Sequence, residues 1–172
     1  IFDGNITSWA DPLILSTNPF LEIKLRSVSS KPNITSVKRS DSSGTTQIFS
    51  SALASFDPIF KSGLGIFQTN KWPKPLAPGV SLLGAGNAGV AIRVLTNTWS
   101  IGYLEKAVAD QYTMQFASVI NLAGNIVAPS VEGIRSAIAD FSSTFANVNP
   151  KVFTVDIVDG PSRYLSMWLL HY

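Results

Sequence analysis

The chain has 172 residues, 45% of them hydrophobic and only 14% charged, with a formal net charge of +2. That length and apolar content bury one substantial core, so a single domain over 1–172 is expected. The charge is a small imbalance in a sparsely charged chain, not a basic patch, which argues against a nucleic-acid partner.

No apolar run approaches the about 18 residues of a membrane span. The sequence opens on Ile1-Phe2 without Met or a signal peptide, which suggests a processed or excised chain. Cys is absent, so no disulfide is available and the compartment stays open. Asn5-Ile6-Thr7 and Asn33-Ile34-Thr35 are sequons, glycan acceptors if the chain passes through a eukaryotic secretory route, although such triplets also arise by chance.

Residues 1–18 read as a loop followed by a short helix from Pro12, capped by Asp11 and ended near Asn18-Pro19, with Trp9 packed under the turn. Leu21, Ile23 and Leu25 alternate with Glu22, Lys24 and Arg26, the pattern of a half-exposed strand, and Ser27 to Pro32 is a polar loop. Asn33 to Val37 is short and β-branched and reads as the central strand. Beyond a polar run, Ile48, Phe49, Ala52, Leu53 and Phe56 recur on one face of a helix.

The turn between that strand and helix carries the chemistry. A strand that turns through Ser and Gly into a helix leaves the first helical N–H groups without partners, pointing at whatever occupies the turn. Ser43, Thr45 and Thr46 add hydroxyls, Gly44 removes the side chain that would keep an oxyanion off the backbone, and Arg39 offers a forked cation. One tetrahedral oxyanion of phosphate size fits these parts. Helix capping by the same Ser/Gly/Thr cluster, with Arg39 and Asp41 as a surface ion pair, accounts for the residues equally well at this point. No Gly-Lys-Ser/Thr follows, so a Walker loop is absent.

Asp57 to Pro78, rich in Gly, Pro and Lys, reads as mostly irregular surface loop. Gly84-Ala85-Gly86-Asn87-Ala88-Gly89 before an apolar stripe gives a tight turn and a helix N-cap, a second possible anion-facing terminus. The Gly-x-Gly-x-x-Gly order alone is a weak dinucleotide signal. Glu105, at about the right distance for the ribose acid, follows a separate Trp99 to Tyr103 strand and begins a helix, so that reading is discounted. Phe116 to Ile120 is a short strand, and Leu122 to Asn125 a turn. Ser130 caps a helix whose stripe of Val131, Ile134, Ile138, Phe141 and Phe145 is expected in the core. Val152 to Val158 and Tyr164 to Tyr172 read as strands around an Asp159-Gly160-Pro161 turn. Strands alternating with helices give an α/β architecture with a mixed sheet.

Four separated motifs then converge. Ile1 to Pro12, Arg39-Ser40-Asp41-Ser42-Ser43-Gly44-Thr45-Thr46, Gly86-Asn87-Ala88-Gly89-Val90 and Ser100-Ile101-Gly102-Tyr103-Leu104-Glu105 occur in the order of the phosphate-binding proteins of phosphate ABC transporters. Over essentially its whole length the chain resembles that solute-receptor family, including its secreted eukaryotic relatives. The resemblance implies one lobe of a type II periplasmic-binding-protein fold, a mixed central sheet flanked by helices, and an extracytoplasmic location. It also implies a phosphate subsite in which Arg39 makes the forked contact, Ser43 and Thr45 donate hydroxyls and amides, Gly44 donates its N–H, and Asp41 holds Arg39. Ser42 stands where the family usually has Gly, which strains or reshapes the loop if that position needs φ > 0. The family's first lobe, with its remaining hydroxyls and an Asp that accepts the phosphate proton, has no counterpart here, so the chain reads as the second lobe only.

Three functions follow from that reading. The first is phosphate binding as part of a two-lobed receptor, tight only with the other lobe present. The second is an extracellular adhesion or assembly module that keeps the lobe, with a further domain or a second copy as partner. An enzyme is the weakest: His171 is the only histidine, and Asp3, Asp41, Glu105, Asp156 and Asp159 form no paired motif. Neither a metal nor another cofactor is expected.

Overall fold

The computed structural model describes residues 1–74, 79–121, 123–140, 142 and 169–170. The chain builds α1 (Pro12–Thr17), α2 (Pro19–Arg26), β1 (Thr35–Arg39), α3 (Gly44–Phe56), α4 (Pro58–Gly63), β2 (Val80–Gly84) and α5 (Gly86–Leu95). It continues through β3 (Ser100–Gly102), α6 (Lys106–Gln111), β4 (Phe116–Ala117), β5 (Val119–Ile120), β6 (Ile126–Val127), α7 (Val131–Asp140) and β7 (Leu169–Leu170).

One mixed sheet runs in the order β2-β1-β3-β7-β4, and β5 and β6 form a separate antiparallel ribbon. β1 is parallel to both neighbours, with Val37 opposite Leu82 and Gly102, while β7 runs antiparallel to β3 and β4. A parallel strand between two others is covered on both faces, and Ser36 through Arg39 are all buried. On one side lies an aromatic cluster that includes Phe2, Trp9, Phe49, Phe60, Phe67, Trp72 and Tyr103. On the other, Val37 packs with Val90, Ala91 and Val94 of α5 and with Leu104, Ala109 and Met114.

β1 extends two residues beyond the expected strand, and so carries Lys38 into the interior. Lys38 is 1% exposed. Its Nζ donates to the Pro73 carbonyl at 3.1 Å and sits 5.8 Å from the centre of the Trp72 ring. Burial lowers its pKa from 10.5 to about 8, against the pull of the Asp3 charge.

The α1 reading holds: Asp11 accepts from the Leu13 N–H at 2.9 Å and Pro12 takes the first helical position. Trp9 is buried and donates Nε1–H to the Trp99 carbonyl at 2.8 Å. The strand expected at Leu21, Ile23 and Leu25 is instead helix α2. Pro19 pre-sets its first turn, Leu21 and Leu25 lie one turn apart on the inner face, and Glu22 pairs with Arg26 at 3.0 Å across one turn. Ile23, the middle member of the supposed alternation, is exposed.

The stretch read as surface loop after Asp57 contains α4. Asp57 accepts from the Ile59 N–H at 2.8 Å, Pro58 follows it, and Phe60, Phe67 and Trp72 are all core residues. The strand expected at Phe116 to Ile120 divides at Ser118 into β4 and β5. Ser130 caps α7 as expected, accepting from the Gly133 N–H at 2.9 Å. The buried face of α7 is Gly133 and Ala137, not the expected stripe, for Val131 and Ile138 are exposed. Phe141, Phe145 and the Val152 to Val158 strand lie outside the described residues, as do Asp156, Asp159 and His171; of Tyr164 to Tyr172, only the Leu169–Leu170 pairing is described.

Candidate functional site: a polar cleft at the end of the central strand

α3 begins against a cleft of about 410 Å³ lined by Arg39, Ser42, Ser43, Gly44, Thr45, Ile48, Phe49, Asn87, Tyr103, Leu104 and Glu105. Ser43 is the N-cap, and its Oγ accepts from the Thr46 N–H at 3.2 Å. The Ser43 N–H itself donates to the Gln68 carbonyl at 2.9 Å, so this amide is engaged and only the hydroxyl proton remains to donate. The N–H groups of Gly44 and Thr45 have no acceptor among the described residues, as the first turn of a helix dictates. A Cβ built on Gly44 would meet nothing within 4 Å, so open space borders this backbone.

Thr46 departs from the sequence reading. Its Oγ1 is 2.8 Å from the Tyr103 hydroxyl, and the residue is buried away from the cleft. Ile48, read as part of the core stripe, is exposed and lines the cleft instead. Ser42 sits there without strain, since Trp99 and Thr113 are the only non-glycine residues with positive φ among those described.

Arg39, 8% exposed, is held from three directions. Its Nε donates to Asp41 Oδ1 at 2.9 Å and Nη2 to Oδ2, a fork-to-fork pair, while Nη1 donates to Asn87 Oδ1 at 2.9 Å. Its backbone N–H donates to the Tyr103 hydroxyl at 3.3 Å. The guanidinium has five donors and these contacts use three, leaving one N–H on Nη1 and one on Nη2. Asp41 also accepts from the Gly86 N–H at 2.9 Å. The Arg39 hydrogen bonds, then that amide, hold the Asp41 carboxyl well below the usual carboxylate range.

The second helix terminus foreseen as anion-facing is therefore occupied by the protein's own carboxylate. Of the three glycines around it, Gly84 and Gly89 serve close packing and Gly86 serves the turn. A Cβ on Gly84 would lie 2.5 Å from the Gly89 carbonyl carbon, and Gly86 adopts φ +64° where β2 turns into α5.

Tyr103 ties the site together from below. Its hydroxyl accepts from Trp72 Nε1 at 3.0 Å as well as from Arg39, and bonds Thr46, while its ring stacks on Phe49 at 4.5 Å. Sequence reasoning missed Asn87 and Tyr103 as supports of the site. It did not place Glu105 at this site, whereas its exposed side chain lines the cleft and does not cap its own helix. Among the described residues no group of three His, Cys, Asp or Glu stands ready to hold a metal. No described helix is long and apolar enough to cross a membrane.

A family model described as a PBP superfamily domain matches residues 1–151. The phosphate-binding protein PstS of Xylella fastidiosa is 40% identical over 145 residues, 83% of this chain and 36% of that protein. PstS of Haemophilus influenzae is 36% identical over 137 residues, 80% of this chain and 37% of that protein. The chain thus matches little more than a third of the length of these relatives. A putative serine/threonine-protein kinase/receptor of Acanthamoeba polyphaga mimivirus is 28% identical over 181 residues, covering 100% of this chain and 10% of that protein. With the mixed sheet flanked by helices, these matches show that the chain belongs to the PBP superfamily, as a relative of phosphate-binding proteins built as a single lobe of the type II fold.

Proposed function

We propose that the chain binds inorganic phosphate in the cleft at the start of α3, as one lobe of a two-lobed extracytoplasmic solute-binding protein that performs no catalysis. Arg39 makes the forked contact, Ser43 and Thr45 donate hydroxyls, Gly44 and Thr45 donate amides, and Asp41 holds Arg39. The observation that carries this reading is the buried Arg39, clamped by Asp41 and Asn87 yet retaining two N–H donors beside the unpaired Gly44 and Thr45 amides. A partner-free set of fixed donors at a helix N-terminus suits a tetrahedral oxyanion. The relatives printed as phosphate-binding proteins support the choice of anion.

Half of a closed site binds weakly. Micromolar affinity is about −8 kcal/mol, so half the contacts with the anion open to water leave about −4, or millimolar binding. Isothermal titration of phosphate at low ionic strength tests this, on the chain and on Arg39→Ala. Saturable millimolar binding that the variant abolishes, with arsenate competing better than sulfate, is the expected result. Equal heats from sulfate and chloride, or none from phosphate, overturn the reading.

A second reading has its own observation. The mimivirus match places a similar stretch within a protein of a different name, of which it forms 10%. On that reading the lobe is an assembly or adhesion module whose partner is another domain or a second copy. Sedimentation would show a phosphate-independent dimer or complex, and a monomer at high concentration would count against self-association. Both sequon asparagines, Asn5 and Asn33, are exposed and so sterically open to a glycan on a secretory route.

A further inference from the structure

Asn87 lies 48 residues from Arg39 in sequence, on the first turn of α5, and it lines the same cleft as the start of α3. Its Oδ1 accepts from Arg39 Nη1 at 2.9 Å. An arginine has no acceptor to offer, so that contact fixes the amide's orientation: the oxygen faces Arg39 and Nδ2 is the other terminus. Nδ2 carries two N–H donors, and neither has an acceptor among the described residues. Asn87 does not cap its own helix, whose N-cap position is Ala85 and makes no side-chain bond. A half-buried amide with one end locked on the site's cation and the other unpaired in the same cleft is a donor without an assigned use.

We infer that Asn87 is a further oxyanion ligand, giving an Nδ2–H to the phosphate that Arg39, Gly44 and Thr45 hold, while its oxygen fixes the Nη1 edge of Arg39. This rests on the phosphate reading of the cleft and deepens it. The consequence is a site fed from two helix starts: α3 supplies backbone amides, and α5, whose own first amide is committed to Asp41, supplies a side-chain amide in place of backbone.

The test is a phosphate titration of the full chain followed in ¹H–¹⁵N correlation spectra, with the Asn87 side-chain amide pair assigned by its loss in Asn87→Ala. Expected is a saturable shift of both Asn87 Nδ2 protons with the same midpoint as the Gly44 and Thr45 backbone amides. Asn87→Ala should raise the phosphate Kd about tenfold or more, the scale of a lost hydrogen bond to a charged group. If Gly44 and Thr45 shift while the Asn87 side-chain pair stays still, the cleft reading survives and Asn87 is a support of Arg39 only, which overturns the inference. A variant that binds phosphate as tightly as the parent overturns it as well. If none of these groups responds to phosphate, the reading of the cleft falls and the inference with it.

Discussion

Replacing Tyr103 by phenylalanine removes one oxygen and keeps the ring stacked on Phe49, so it isolates the hydroxyl. That oxygen accepts two N–H groups, from Trp72 Nε1 at 3.0 Å and from the Arg39 backbone at 3.3 Å, and bonds Thr46 Oγ1 at 2.8 Å. The Thr46 hydroxyl can turn to another acceptor, but two donors are left buried and unpaired at about 1–3 kcal/mol each. The expected loss is about 2–6 kcal/mol, a large share of the about 5–15 kcal/mol that holds a domain together. Urea unfolding measures it directly: the midpoint should fall at unchanged slope, since the surface exposed on unfolding is the same. The Arg39 N–H and the first turn of α3 both hang on this oxygen, so phosphate affinity should fall with stability. A midpoint shift worth less than about 0.5 kcal/mol would refute the argument, because it would mean that both donors find other acceptors without cost.

Two further substitutions probe the frame around the cleft. Lys38 has a folded pKa of about 8 against 10.5 in the unfolded chain, so between those values the unfolded state binds the extra proton and stability rises with pH. Below pH 8 the buried charge costs about 3 kcal/mol; Lys38→Met should therefore be more stable than the parent at pH 7 and should flatten the rise between pH 8 and 10 in thermal unfolding, and a parent whose midpoint is level across that window contradicts the assignment. Gly84→Ala would press a methyl to 2.5 Å from the Gly89 backbone, so β2 and α5 must part, at about 2 kcal/mol or more in denaturant unfolding. A variant as stable as the parent would show that this strand–helix contact is loose.

What was legible in the sequence was local. Asp11-Pro12 announced α1 because a capping carboxylate and a fixed φ act within one turn. Asp57-Pro58 is the same signal and starts α4, yet the Gly, Pro and Lys around it read as loop, and nothing nearby in sequence shows that Phe67 and Trp72 fold back into the core. The Leu21, Ile23, Leu25 series fits both a strand and a helix. The Glu22–Arg26 spacing with Pro19 ahead of it decides for the helix, and that evidence was present in the sequence. The strand, turn and helix start that line the cleft were visible because they lie within about twenty residues of one another. Their supports were not: Asn87 and Tyr103 reach Arg39 from 48 and 64 residues away. The burial of Lys38 was not legible for a related reason, since only the placing of Pro73 and Trp72 makes an interior position bearable for an amine.

The topology explains why those distant pieces meet at one place. β1 lies between β2 and β3, so the chain leaves β1 toward one side to form β2 and crosses to the other side to form β3. Where parallel strands part in this way, the connections after their carboxyl ends diverge and open a crevice. Arg39 ends β1 and the α3 turn follows it; Gly86 and Asn87 follow β2; Tyr103 and Glu105 follow β3. The cleft is thus made from three successive strand ends that share one edge of the sheet, and α3 and α5 start there because each strand ends there. A cation at the first of these ends must be matched by the second, which supplies the Gly86 amide to Asp41 and the Asn87 oxygen to Arg39. The third supplies the hydroxyl that pins the strand end itself. Arg39 therefore cannot be repositioned by changing its own loop alone: its orientation is set jointly by the strands on either side.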